Sequence, residues 1–557
     1  MKKKEKVLLI FLIFFGVFLQ SSIMFRSGLN YKFGLGFWGP NGFDGVWHLS
    51  LAGQVLKGFP TPFPNFAGEY VKNYHLFFDY LLAISNKISF IPIKYLYFQF
   101  FPVLFSLLIG LLSFTFGYCW KKNFWVGFWF AFLNYFAGSF GFLVTLFREG
   151  KIGGESLFWS MQSISTLINP PFALSLIFLL SGMILLINIK KNNFRFIFIG
   201  ILFGLLISIK SYSGIIALGA LFFLALIKFF KKEKVYIFSL IISIIISFIV
   251  FSPFNSGAKS FFIFEPFWFI HSMIESSDRL FLPNIALIRY SLIDQGIGPR
   301  LVLVELIGFL FFIFGNLGTR SLGFFSILKS RKKMEAIDLF IIFGMIISLT
   351  IPIFFIQKGT AWNTIQFFYY FLFFSNIYFS RFISSVFEMK KLKISIVVIL
   401  TIILLTIPTT ISTLKNYWGW PPPAMISKKE DEALKFLKKQ SDGIVLTFPF
   451  LATNYLGETP VPIKYYALTS YVSAFSGKQT FLEKANLDIV GINSSARENE
   501  IINFFSSNDI NYKKEVLAKN KIKYIYLTKI DGVKTDGLDT FTKNIFENNE
   551  VYIYQVN

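Results

Sequence analysis

The sequence predicts an α-helical polytopic membrane protein of about eleven transmembrane helices with a small extracytoplasmic α/β C-terminal domain, and three observations predict it. Of 557 residues, 54% are hydrophobic and only 15% charged, a balance more apolar than that of soluble domains. Apolar runs of the roughly 20 residues that a bilayer-crossing helix needs recur to residue 414 and then stop. The remainder mixes charge with short apolar stretches at the size of an ordinary domain. The expected organisation is therefore a membrane domain over residues 1–414, with a long first outer loop at 26–97, and a second domain over 415–557.

The first span follows from "MKKKEKVLLIFLIFFGVFLQSSIMF". A basic start and an apolar run longer than a usual signal core, with no small-x-small cleavage site around Gln20-Ser21-Ser22, read as an uncleaved helix whose N-terminus is cytoplasmic. The other spans read as Phe98 to Trp120, Phe124 to Phe147, Pro171 to Ile189, Phe194 to Ile209, Gly214 to Phe230, Val235 to Phe254, Leu301 to Gly323, Ile337 to Ile356, Ile365 to Phe382 and Ile394 to Leu414. Alternating sides puts Lys121-Lys122, Lys190-Lys191, Lys231 to Lys234, Lys329 to Lys333 and Lys390 to Lys393 inside, where short loops accumulate Lys and Arg. The C-terminal domain and all three histidines then fall outside.

The net charge is +23, and residues 415–557 carry 18 Lys and Arg against 16 Asp and Glu, so the excess belongs to the membrane part. Such a surplus suits anionic headgroups. No basic, aromatic-interleaved soluble module is present, so a nucleic-acid partner is not expected. The single cysteine, Cys119, excludes an internal disulfide and a cysteine-based metal site.

The first outer loop holds "FDGVWHLSLAGQVLKGFPTPFPNFAGEYVKNYHLFFDY", with two of the three histidines. Helical spacing over Asp44 to Lys57, stopped by Gly58, puts Asp44 and His48 on one face. A second helix over Asn73 to Lys87, with Asn73 as N-cap, puts His75 and Asp79 together. Two readings fit. These are solvated faces of interfacial helices with Trp38, Trp47, Tyr70 and Tyr74 as headgroup anchors, or a carboxylate beside a low-dielectric surface acts as a general base. An i, i+4 His/Asp pair is also a weak divalent-cation signal, which leaves the metal and any cofactor unknown.

A first helix, a long outer loop with Asp44 in "FDGVWH", about ten further spans and an outer soluble tail together resemble the GT-C class of polytopic glycosyltransferases. The resemblance covers the full length; its motif is short, and a second acidic residue common near the first in that class is not adjacent to Asp44. It implies an enzyme that uses a polyprenyl-phosphate-linked sugar as donor, with Asp44 as the catalytic position and an acceptor the sequence does not name.

Other polar groups sit at the outer ends of spans. Lys210 in "LLISIKSYSGII" is an ammonium at the edge of the bilayer, either snorkelling or functional; the resemblance implies that it pairs with the carrier phosphate. Arg148 closes the third span and is either an anchor or a second phosphate ligand. The segment after it, with Glu155, Gln162 and Asn169, is too polar to span and lies in the interface or dips back in. "IQKGTAWNTIQFFYYF" offers Gln357, Lys358, Asn363 and Gln366, with Trp362, as boundary residues or as partners of sugar hydroxyls. Glu305 inside its span calls for a structural partner, and His271, Glu275 and Arg279 form one polar stripe.

After the linker "WGWPPPAM", helical "KKEDEALKFLKK", strand "GIVLTFPF", helix "ENEIINFFSS" and strands "IKYIYL" and "VYIYQV" alternate in an α/β manner. No P-loop, GxGxxG or nucleophile elbow occurs there. "TSYVSAFSGKQTFLEKANLDI" either contributes to acceptor binding or packs the fold. Against the enzyme stands a transporter or lipid-carrier flippase, which would place polar groups at mid-membrane, and an envelope scaffold. The enzyme reading expects a multi-pass cell-membrane protein whose partners are the bilayer, the lipid-linked sugar and the acceptor.

Overall fold

The computed structural model describes residues 1–191, 194–255, 262–330, 334–388, 392–449, 457–488 and 490–557. The basic clusters at Lys329 to Lys333 and Lys390 to Lys393 lie partly outside the described residues, as do the last residues of "GIVLTFPF" and of "TSYVSAFSGKQTFLEKANLDI". Seven described helices are long and apolar enough to cross a membrane: Lys3–Phe25, Ile93–Lys121, Pro170–Ile187, Ser211–Phe230, Gly298–Ser330, Ala336–Phe354 and Lys393–Trp418. Phe124–Phe136 and Gly141–Glu149, bent by 47°, supply an eighth if taken together, and Arg195–Ile209 and Val235–Phe251 are shorter apolar helices. The chain is a multi-pass membrane protein. It divides into two compact units, one of Met1–Ile23, Val103–Ser252 and Gly257–Trp418, the other of Met24–Pro102, Pro253–Ser256 and Gly419–Asn557.

The first unit is a helical bundle whose core is aromatic, with Phe116, Phe130, Phe203, Phe340, Phe368 and Tyr370 among its buried side chains. Where a helix breaks inside such a core its carbonyls need donors. The bend between Phe136 and Gly141 exposes the Gly138 carbonyl, and Arg320, only 2% exposed, donates Nη2 to it at 3.1 Å. The same guanidinium donates to Asn316 O and Leu317 O, the last carbonyls of the Gly298–Leu317 helix. A cation at a helix C-terminus complements the dipole, so Arg320 closes two helix ends at once. Asp338, 1% exposed, is held by Trp120 Nε1 at 3.2 Å and Tyr378 Oη at 3.5 Å, with Lys121 at 3.8 Å.

Glycines set one close helix crossing. A Cβ on Gly127 would meet Phe114 O at 2.6 Å, and one on Gly117 would meet Gly127 Cα at 2.8 Å. Small residues of this kind let membrane helices touch backbone to backbone.

The second unit is built from chain distant in sequence. Strand Gly34–Phe37 of the first loop pairs antiparallel with Ala424–Ser427, Gly34 opposite Ser427 and Phe37 opposite Ala424. Gly34 has φ +134°, and a Cβ there would lie 2.1 Å from Ile426 O, so glycine is required. A second sheet orders Ile444–Thr447, Ile522–Thr528, Val551–Val556 and Thr542–Glu547, the first pair parallel and the rest antiparallel. The expected Lys428–Lys439 and Ser495–Ser506 helices are present, joined by an unexpected one at Ile510–Lys519. Trp38 and Trp47 are not headgroup anchors: each is 1% exposed, with Nε1 donating to Gly419 O and to Tyr74 Oη.

Glu430, buried at the start of the Lys428–Lys439 helix, accepts a hydrogen bond from Tyr526 Oη at 3.2 Å, and burial pushes its carboxyl up to about 7. Glu483, which accepts the Val472 and Ser473 amides, is pushed to about 7 by the same cause.

Two outcomes are expected. Gly127→Leu should lower stability by about 1–3 kcal/mol by forcing two backbones apart, read as a lower melting temperature in detergent; an unchanged melt would contradict the crossing. A carboxyl raised in the folded state stabilises below its unfolded value near 4.5 and loses that contribution as pH rises through about 7. The melting temperature should therefore fall from about pH 5 to about pH 8, and Glu430→Gln should shrink that fall.

Candidate functional site

In the second unit, the Asp44–Ala52 helix begins at the candidate base. Asp44 is half-buried in the first turn, where a carboxylate is favoured by the helix dipole. The helix is shorter than the spacing to Lys57 predicts: it ends at Ala52, and Gln54 turns inward, fully buried, to donate Nε2 to Gly477 O at 3.2 Å.

The second helix starts at Phe77, four residues later than expected, because Asn73 adopts φ +57° and is not an N-cap. His75 therefore precedes the helix and does not share a helical face with Asp79. Its ring centroid lies 4.6 Å from that of Tyr74. Asp79, in the first turn, instead meets the histidine of the other helix: Oδ1 lies 2.7 Å from His48 Nδ1, with Asp79 fully buried and His48 5% exposed. Tyr97 stacks on the His48 ring at 5.9 Å and Phe78 meets it edge-on at 5.8 Å. Burial pushes the Asp79 carboxyl up from its ordinary value, opposed by His48. Asp79 Oδ2 is buried without a hydrogen-bond partner among the described residues.

The Nδ1 contact fixes the imidazole and turns Nε2 away from the carboxylate, the arrangement that gives a histidine one defined exchangeable site. The carboxylates of Asp44 and Asp79 both act electrostatically on the Tyr97 hydroxyl. Three of the four loop residues, Asp44, His48 and Asp79, are thus gathered around one buried aromatic floor.

In the first unit, Lys210 forms the break between the Arg195–Ile209 and Ser211–Phe230 helices, in extended conformation and 3% exposed. Its ammonium lies 3.4 Å from Asn169 Oδ1 and 5.5 Å from the Tyr212 ring centroid. Tyr212 Oη donates to Gln357 Oε1 at 2.9 Å, which links Gln357 to the same neighbourhood. Asn169 also caps the Pro170–Ile187 helix by accepting from Phe172 N. The segment before it dips into the bundle: Ser163–Ile168 is a mostly buried turn, and Gln162 Oε1 accepts from Ser139 N at 2.7 Å.

Not every expected residue joins this group. Arg148 is exposed and donates to Leu280 O and Phe281 O. Lys358 is exposed beside Gln357, and Asn363 is buried with Oδ1 accepting from Gln366. Glu305 has structural partners, Arg289 Nε at 2.7 Å and His271 Nε2 at 2.8 Å, with Arg289 reaching on to Glu275. Arg279 leaves the expected stripe, because the helix ends at Glu275, and lies 4.0 Å over Trp159. Among the described residues no three His, Cys, Asp or Glu converge as a metal site.

Sequence reasoning missed Tyr97, Tyr212 and Arg320. The first two look like span aromatics; the third was visible as a charge in "GNLGTRSLG", inside an apolar stretch.

No protein-family model and no curated protein matches this sequence. Solved structures do. The archaeal oligosaccharyltransferase AglB from Archaeoglobus fulgidus, in complex with an inhibitory peptide and a dolichol-phosphate, aligns over 95% of this chain and 70% of its own at 13% identity and TM-score 0.52. The Archaeoglobus fulgidus oligosaccharyltransferase complex with Zn and sulfate aligns over 93% and 68%, at 16% identity and TM-score 0.53. ArnT from Cupriavidus metallidurans, bound to undecaprenyl phosphate, aligns over 100% and 98% at 9% identity, but with TM-score 0.47 it adds no weight. What is shared at these identities is architecture, and by that measure this chain has the fold of the GT-C polytopic membrane glycosyltransferases.

Proposed function

We propose that the protein is a glycosyltransferase that moves a sugar from a polyprenyl-phosphate-linked donor to an acceptor hydroxyl on the extracytoplasmic face of the membrane. The observation that carries this reading is the alignment of 95% of the chain with an oligosaccharyltransferase solved with a dolichol-phosphate. Candidate residues in each unit support it. The first unit buries a lysine at a helix break, and the second places a carboxylate at a helix start beside an oriented histidine.

The acceptor oxygen attacks the anomeric carbon, the bond from that carbon to the phosphate oxygen breaks, and its electron pair leaves on the phosphate. Asp44 takes the hydroxyl proton as general base. The Lys210 ammonium offsets the charge that grows on the departing phosphate, where electrostatic stabilisation acts most strongly. Its buried position strengthens that effect, because a cation with little water around it interacts over a lower dielectric. Asn169 and Gln357, with Tyr212, hold the approach to Lys210 in hydrogen-bonded register. His48 acts as a positioning residue, its ring fixed by Asp79, and His75, Arg148, Lys358 and Asn363 are assigned to substrate contacts.

In a deletion strain complemented with variants, mass spectrometry of cellular glycans should show the product lost with Asp44→Asn, a general base being worth about 10²–10⁴ in rate. Wild-type product from Asp44→Asn at equal protein abundance would refute the assignment. Lys210→Gln should lower transfer by about 10²–10³. Asp79→Asn should keep the protein folded but lower the rate, since the His48 ring loses the carboxylate that fixes it; an unchanged rate at equal protein abundance would reduce the pair to a packing contact.

A further inference from the structure

The Lys428–Lys439 helix places Asp431, Leu434, Lys435 and Lys438 at i, i+3, i+4 and i+7, along one face. Leu434 anchors that face in the core. Within the same compact unit the face looks across a cavity of about 330 Å³ to the turn Pro92–Tyr95, which carries Lys94. Lys94 is half-buried, is repelled by Lys435 and Lys438, and is attracted by Asp431. Three ammonium groups and one carboxylate thus line the same cavity, and the carboxylate is already bonded to one of them, Lys435. Lys435 and Lys438 are exposed and Lys94 is half-buried, and like charges brought together in this way favour an anion that enters between them.

The surroundings indicate what brings that anion. Ile93 is both a wall of the cavity and the first residue of the apolar Ile93–Lys121 helix. Just before it, Ile88, Phe90 and Ile91 are all exposed, Phe90 by 87% at φ +60°. An exposed apolar tip next to the start of a membrane helix belongs in lipid. The rest of the wall is apolar at Leu49, Pro92, Ala474 and Phe475 and polar at Asn30 and Tyr95. Cations above an apolar wall match a phosphate that arrives on an acyl-bearing molecule.

We propose that Lys94, Lys435 and Lys438 bind the phosphate of an anionic membrane-lipid headgroup. This site is independent of the glycosyl-transfer reading, and its test measures no transfer.

The full-length protein in phosphatidylcholine nanodiscs is titrated with phosphatidylglycerol, and retained lipid is counted by native mass spectrometry alongside thermal melting. Phosphatidylglycerol should be retained and should raise the melting temperature. A lysine near an anionic surface contributes about fivefold in affinity, so Lys94→Gln should weaken binding by about fivefold and the triple Gln variant of Lys94, Lys435 and Lys438 by about a hundredfold. Gln at the exposed Lys428, Lys439 and Lys514 makes the same charge change elsewhere and should leave retention intact. Equal retention by the two triple variants would overturn the proposal, as would no preference for phosphatidylglycerol over phosphatidylcholine. Stabilisation by inorganic phosphate alone to the same extent would overturn the lipid source.

Discussion

Removing a polar group from water without giving it a partner costs more than almost any single packing gain can return, and this chain is arranged around that cost. At several places where an ionisable side chain leaves solvent, a second element arrives to meet it. His48 of one short helix meets Asp79 of another; Glu305 gathers Arg289 and His271; Asp338 is enclosed by Trp120, Tyr378 and Lys121. Arg320 has no carboxylate in reach of a hydrogen bond among the described residues and uses the carbonyls of broken helices instead. Each pairing ties together segments that aromatic packing alone would leave free to slide.

The same rule accounts for the charges inside the bundle. Glu305 and Asp338 are surrounded by donors that hold them in place. Lys210 sits at a helix break, with an amide oxygen and an aromatic ring beside its ammonium.

How much was legible beforehand follows from the range of each interaction. The i, i+4 placement of Asp44 and His48 is local and was readable, as were the helix "KKEDEALKFLKK" and the strand "IKYIYL", whose patterns depend on near neighbours. The need of Glu305 for a partner was readable from depth alone, but Arg289 was not, since it comes from another helix. The start of the second loop helix was misjudged because Asn73 took a left-handed turn where a cap was expected. Strand Gly34–Phe37 was invisible for a related reason. "GLGF" has no alternation of its own, and its pairing partner lies almost four hundred residues away.

That last pairing has a consequence for how the chain comes into being. The loop bearing Asp44 leaves the ribosome early, yet the strand that completes its sheet, Ala424–Ser427, is made only after every membrane helix has been delivered. Throughout biosynthesis the nascent loop must wait beside the bilayer with an open edge, a long loop closure still ahead of it. Maturation of that loop is thereby coupled to completion of translation, so a prematurely terminated polypeptide would insert its helices and still lack a finished loop.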